Sequence, residues 1–460
     1  MNEVHDNFEK SETDLTDSET KSPPNIVVCS DGTWNQGGAV NPTNVWRTYL
    51  VTSPENQIKL HDNGVGSEGI KLFQYFGGAF GYGISQNIQE LTAFIIQSYQ
   101  PGSKIYLFGF SRGAYTVRVL AELLCRYGIP RKEKFKTAED VNRAAAKMLR
   151  FYKRQNSAHH RSNKFKNVES RLDAEIAEFQ QEFCDLNAGD DKHLIHFLGC
   201  WDTVEALGVP FEPIKRIAKF FFRLRFRNTK PNEKIKTICH ALSLDDERRA
   251  FHPLCFTDRG VDDQTVHQTW FPGNHCHVGG GYSRDQMAMK PLEWMIRHAE
   301  NQGLKIDESK LQEFLKTGYT HGQLPNSREG LNFFYSYYPR RIDEFQRAGP
   351  WSIHVSAFER LGEQIQFYVP TSMMVDKGHV GQDGGKVDTR TFDRVPAFVE
   401  EKDDRQRNSP DYPTIFFEGG GGHLEYDQQH GLLPITDRVC LEETMPYFEQ
   451  MKEVNEKYIR

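Results

Sequence analysis

The segment Lys104-Ile105-Tyr106-Leu107-Phe108-Gly109-Phe110-Ser111-Arg112-Gly113-Ala114 decides how this chain folds. Ile105 to Phe108 is an unbroken apolar run after a Pro101-Gly102 turn, the mark of a short strand buried on both faces. From Ala114 to Tyr127 the apolar residues Val117, Leu120, Leu123 and Leu124 recur at helical spacing. Strand, tight turn and helix thus follow one another, and the turn itself fits G-x-S-x-G. Each glycine there has a physical reason, because a Cβ at either position would meet the adjoining strand or helix.

Working outward, the same pattern returns three times. Ile26-Val27-Val28-Cys29 ends in Ser30-Asp31-Gly32-Thr33-Trp34-Asn35, and His193 to Cys200 ends in Trp201-Asp202-Thr203-Val204. Thr265 to Phe271 ends in Pro272-Gly273-Asn274-His275. In a parallel sheet such ends share one edge, where open α/β sheets place their ligands. The expected fold class is therefore α/β, with a mostly parallel central sheet. Two insertions interrupt it. Residues 130–190 are charged and helical in character at 138–151 and 168–183. The other covers about 210–235, and its stretch 214–227 interleaves Phe220, Phe221, Phe222 and Phe226 with Lys219, Arg223, Arg225 and Arg227. Beyond these, 331–338 and 364–369 read as strands and 436–457 as a closing helix. Gly77 to Gly83 reads as a close-packed loop; it lacks a preceding β-branched strand and a following Lys-Ser or Lys-Thr, which excludes a phosphate cradle.

Composition narrows the function classes. Lys and Arg number 57 against 63 Asp and Glu, a net charge of −6 that excludes a strongly basic nucleic-acid binder. Five of those units belong to residues 1–24, a Ser-, Thr- and acid-rich tail closed by Pro23-Pro24 and expected to be disordered. The tail lacks the basic start and apolar core of a secretory signal. No apolar run reaches the roughly 18 residues of a spanning helix. The 8 cysteines show no CxxC or other metal spacing and read as reduced, buried thiols. A cytosolic default follows from composition.

Chemistry gathers at the predicted sheet edge. Ser111, on its strained turn at a helix N-terminus, is the candidate nucleophile. A serine hydroxyl needs a base, and the base needs an acid to hold its tautomer. Asp202 and His275 end the third and fourth strands, in the order serine, acid, histidine. Asp245 or Asp246 is the alternative acid, and His277 and His354 are alternative bases near the site. His275-Cys276-His277 also invites a zinc reading, but no third ligand follows at suitable spacing, so neither metal nor cofactor is expected. For an oxyanion, one backbone donor is expected at Arg112 and another from Gly32 or Thr33, after Asp31.

The ordered segments Cys29 to Asn35, Asp62-Asn63-Gly64-Val65-Gly66, Gly109 to Ala114, Trp201 to Val204, His240 to Asp245 and His275 to Tyr282 resemble a known family. It is the large, mostly uncharacterised α/β-hydrolase domain family that includes phospholipase effectors of bacterial type VI secretion and many fungal members. The resemblance covers 25–290 well and 330–380 loosely. It implies that Ser111 is the nucleophile, Asp202 the acid and His275 the base; two residues after that histidine the family more often carries an acidic residue, where this chain has His277.

These readings combine into one expectation: an α/β-hydrolase domain over 25–460, decorated by both insertions, that cleaves acyl esters through a Ser-His-Asp acyl-enzyme. The resemblance implies a lipid or phospholipid substrate, and export by a route that needs no cleavable signal. Residues 214–227 read either as a stripe for an anionic membrane surface or as a half-buried strand with solvated arginines. The alternative functions are an esterase or thioesterase for soluble acyl substrates and a non-catalytic interaction module on the same fold.

Overall fold

A computed structural model of the chain describes residues 22–32, 41–64, 79–158, 166–184, 192–204, 229–257, 260–261, 263–318, 338, 340, 351–354, 356–357, 398–399, 414–417, 426–427 and 431–432. The deciding segment forms strand β3 (Ile105–Phe110) and, after Ser111, a helix over Arg112–Tyr127. Around β3 the chain lays down β1 (Asn25–Ser30), β2 (Gln57–Asp62), β4 (Ile195–Trp201), β5 (Ile235–Ser243), β6 (Thr265–Phe271) and β7 (Trp351–His354). These strands pair in the order β2-β1-β3-β4-β5-β6-β7, and all the pairings are parallel. Beyond β7 two short strands, β8 (Phe398–Val399) and β9 (Thr414–Phe417), extend the sheet antiparallel in the order β7-β9-β8.

Alternation along the strands feeds two cores. Ile26, Val28, Ile105 and Leu107 point to one face, under α2 (Ala79–Ser98), α3 (Arg112–Tyr127), α4 (Ala138–Ala158) and α5 (Lys166–Phe183). Val27, Cys29, Tyr106 and Phe108 point to the other, under α1 (Asn44–Val51), α7 (Met289–Asn301) and α8 (Glu308–Leu315). A five-residue helix, α6 (His275–Gly279), follows β6 directly. Strands β1 and β3 are thus apolar on both faces, the pattern that the interior of a parallel sheet favours.

The elbow depends on close backbone approach. A Cβ added at Gly113 would lie 2.0 Å from the carbonyl oxygen of Ser30, and one at Gly109 would lie 2.5 Å from that of Gly113. Both neighbours are backbone and cannot swing away. Gly113→Ala is therefore expected to cost about 3 kcal/mol, at the upper end of the overpacking range, read as a lowered urea midpoint.

Several expectations need correction. Residues 79 onward are not a loop, because α2 begins at Ala79 and runs through Gly81 and Gly83. The period Ile84, Ile88, Leu91, Ile95, all buried, carries that helix despite its glycines. Strands β2 and β5 lie outside the strands expected from the sequence. In β2 only Gln57 is fully buried, as befits a sheet edge, and β5 hides its pattern behind Thr237 and His240. The third strand runs from Ile195 to Trp201, two residues after its expected start. The two insertion helices lie where expected, each a few residues longer or earlier. The tail up to residue 21, the stripe at 214–227, the strands at 331–337 and 364–369 and the closing helix at 436–457 lie outside the described residues.

The described cysteines, including Cys29, Cys200 and Cys239, are free thiols, and burial pushes those three up. Among the described residues no helix is long and apolar enough to cross a membrane.

Candidate active site

Two adjacent parallel strands end in left-handed residues, which is where the site begins. Ser111, after β3, has φ 58° and ψ −117°, and Asp202, after β4, has φ 42°. Non-glycine residues pay for such conformations with strain, and they persist only where the surroundings hold them. Here the ladder does so: Ser111 N–H donates to the Trp201 carbonyl (3.0 Å) and Asp202 N–H to the Ala241 carbonyl (2.8 Å). Both side chains consequently project from the carboxyl edge of the sheet.

His275 meets them from the first turn of α6. Its Nδ1 is 2.6 Å from Asp202 Oδ2 and its Nε2 is 2.8 Å from Ser111 Oγ. An ionised carboxylate can only accept, so Nδ1–H donates to Asp202 and Nε2 accepts from the serine hydroxyl. The imidazole is held between the rings of Phe110 (centroids 4.6 Å apart) and Phe251 (5.0 Å, edge-on). Asp246 accepts the backbone N–H of His275 (3.2 Å) and is itself paired with Arg248, whose Nη2 lies 2.6 Å from Asp246 Oδ2. Asp245 accepts from Gly273 N–H (2.5 Å). The alternative acids therefore fasten the loops that carry His275.

Asp202 is wholly buried, with many donors around it. Ser243 supplies its backbone N–H (3.0 Å) and its hydroxyl (3.2 Å), and Arg340 supplies Nη1 to Oδ1 (2.6 Å) and Nη2 to Oδ2 (2.8 Å). Burial by itself pushes the Asp202 carboxyl up, but the Arg340 guanidinium and the His275 hydrogen bond outweigh it and hold it well below the usual carboxylate range. Burial pushes the His275 imidazole down; the hydrogen bond to Asp202 opposes this without cancelling it. Arg340, Ser243, Phe110 and Phe251 join the site in addition to the residues expected from the sequence. Ser243 lies in a segment already singled out by its resemblance, whereas Arg340 had no signal of its own.

The remaining candidates are placed elsewhere. His277 turns back on its own helix start, its Nδ1 accepting from Asn274 N–H (3.2 Å). His354, on β7, bonds to Ser356 Oγ (2.8 Å), stacks on Phe271 (4.6 Å) and is held down to about 3 by burial. Asp31 is buried beside the elbow, accepting from Thr43 Oγ1 (2.7 Å) and from Gly32 N–H (2.8 Å). The Gly32 N–H expected to face an oxyanion is therefore taken by the neighbouring carboxylate. Thr33 lies outside the described residues. Arg112 N–H opens α3, a 16-residue helix whose N-terminal end favours negative charge. Among the described residues no group of three or more His, Cys, Asp or Glu side chains is arranged to hold a metal ion.

A seven-stranded parallel sheet flanked by helices, with a strained serine between strand and helix at its carboxyl edge, defines an α/β protein of the hydrolase class. Within that class, residues 24–298 match the family described as "T6SS, Phospholipase effector Tle1-like, catalytic domain", and the chain belongs to it. It is also similar to an uncharacterized protein of Saccharomyces cerevisiae, 26% identical over 278 residues that cover 56% of this chain and 37% of the yeast protein. The match thus spans little more than a third of that relative's length. Two solved structures are similar. One is an uncharacterized protein from Pseudomonas aeruginosa, at 17% identity and a TM-score of 0.34 over 65% of this chain and 49% of that one. The other is the Tle1 effector bound to the VgrG spike from the type 6 secretion system, at 18% identity and a TM-score of 0.29 over 59% of this chain and 56% of that one.

Proposed function

We propose that the protein is a serine hydrolase of carboxylic acyl esters, with phospholipids as its substrate class. The observation that carries this is the hydrogen-bonded series from Ser111 through His275 to Asp202, built on a left-handed serine at the head of a helix. The family supplies the substrate class, since its name is that of a phospholipase effector domain.

In the proposed reaction His275 Nε2 takes the hydroxyl proton as Ser111 Oγ bonds to the ester carbonyl carbon. The carbonyl electrons move onto its oxygen, which the Arg112 N–H and the α3 N-terminus stabilise. Thr33 is the remaining candidate for the second donor. When the tetrahedral adduct collapses, the ester C–O bond breaks and His275 returns the proton to the departing alcohol. Water then attacks the acyl-serine with the same histidine as base, releasing the carboxylic acid and restoring Ser111. Asp202 keeps Nδ1 protonated, so that Nε2 stays free to accept.

The test is a fluorophosphonate probe followed by mass spectrometry, run beside a panel of lipid classes. An adduct on Ser111 with cleavage of a phospholipid supports the reading. A folded protein with no adduct and no hydrolysis refutes it, and cleavage restricted to soluble esters moves the substrate class to small acyl esters.

The pH dependence follows from the base. His275 must be neutral to act, and burial lowers it from an ordinary value of 6.5. The acid limb of kcat/KM is therefore expected to fall below pH 6.5. Rates on a soluble aryl ester between pH 4 and 9 measure it.

A further inference from the structure

Arg340 lies beyond the segment 24–298 that matches the family, yet it reaches into the middle of the site. Its side chain is fully buried, and so is its partner's. The planar fork grips both oxygens of Asp202, and the same nitrogens donate to the carbonyls of Ser243 (2.6 Å) and Phe251 (2.5 Å). One guanidinium thus ties together the end of β5, the carboxylate and the loop whose ring walls His275.

Resting on the hydrolase reading above, we propose that Arg340 is a positioning residue: its fork fixes the plane of the Asp202 carboxylate toward His275 and offsets that carboxylate's charge. The charges around His275 make the second role specific. Facing it are Ser111 from the elbow, Asp202 from β4, Asp246 through the His275 backbone N–H, and Arg248 beside Asp246. Asp246 and Arg248 balance each other. Asp202 would otherwise be the unbalanced charge, and Arg340 supplies its counter-ion. His240, behind Asp202, is held down to about 3 by burial and stays neutral. A bare carboxylate would strengthen the hold on a proton at His275; a neutralised one leaves the imidazole a free base in mildly acidic solution. Geometry matters as well, since a bidentate fork restricts rotation of the carboxylate in a way that a single donor does not.

The experiment uses the full chain carrying Arg340→Met or Arg340→Lys. Folding is followed by circular dichroism, kcat and KM on a soluble aryl ester are measured from pH 4 to 9, and fluorophosphonate labelling of Ser111 is timed. The expected result for Arg340→Met is a kcat at least about tenfold lower at little-changed KM, with the acid limb moved up by about one pH unit. Arg340→Lys keeps the charge but loses the fork, so its limb stays at the wild-type pH while kcat falls. A folded Arg340→Met with an unmoved limb overturns the proposal. If that variant does not fold, Arg340→Lys decides, and a wild-type kcat for it is the overturning result. Wild-type labelling separates the two claims: an unlabelled, inactive wild type ends the hydrolase reading, whereas a labelled wild type with indifferent variants ends only the role of Arg340.

Discussion

Ser111→Ala is expected to lower ester hydrolysis by on the order of 10⁵-fold or more while leaving a folded protein. Losing a nucleophilic serine removes nearly all that the relay contributes, because His275 and Asp202 act only through it. The structural cost is small. One hydrogen bond to His275 is lost, worth about 1 kcal/mol. Alanine is no more strained than serine at φ 58°. Ser111→Gly sharpens the contrast, since glycine tolerates that backbone: it should be equally inactive yet more stable, by about 1 kcal/mol. Activity assays with urea denaturation of the three proteins read both effects. Hydrolysis surviving in folded Ser111→Ala would place the nucleophile elsewhere.

Asp202→Asn is expected to damage both activity and stability. An amide can present its NH2 to His275, favouring the wrong tautomer, and kcat should fall by roughly 10⁴-fold. It also removes the counter-charge of Arg340 inside the protein. Breaking one partner of a buried pair costs about 3–5 kcal/mol, because the other charge is stranded. The sign of the pH effect follows from the depressed carboxyl. Its ordinary value is 3.8 and the folded value lies below that, so the stabilisation is fully present above about pH 4 and is lost as the pH falls further. Urea midpoints between pH 2 and 7 should therefore drop in acid more steeply for wild type than for Asp202→Asn. Equal slopes, or an unchanged midpoint at pH 7, would contradict this account.

The parts of the fold that were legible in the sequence are those where one signal dominated. β3 is an apolar run bounded by Gly, Pro and polar residues, β6 is rich in β-branched and aromatic residues and is closed by Pro272-Gly273, and the elbow between β3 and α3 carries its own spacing. Edge strand β2 exposes Ile58 and keeps Lys59 and His61 half-buried, so its residues follow no buried run. β5 is central, yet it opens Ile-Lys-Thr and buries His240, a polar pattern that the neighbouring strands tolerate through hydrogen bonds such as Thr203 N–H to His240 Nε2 (3.1 Å). Ser111, Asp202 and His275 were singled out by residue type at strand ends, and the structure brings them within hydrogen-bond reach. Arg340 was not, since Pro339-Arg340-Arg341 carries no motif and follows the stretch 331–338 that reads as a strand. Only tertiary structure brings it 138 residues back along the chain to Asp202.

That separation has a further meaning for how the protein comes into being. The bonds linking Ser111, His275, Asp202 and Arg340 join residues 164, 73 and 138 apart in sequence. No local fragment can make any of them, and contacts of such long range form late, after the loop-closure entropy has been met by the sheet. A chain still emerging from the ribosome, or one partly unfolded, therefore carries an ordinary serine hydroxyl. On the hydrolase reading proposed above, the activated serine comes into existence only with the completed fold.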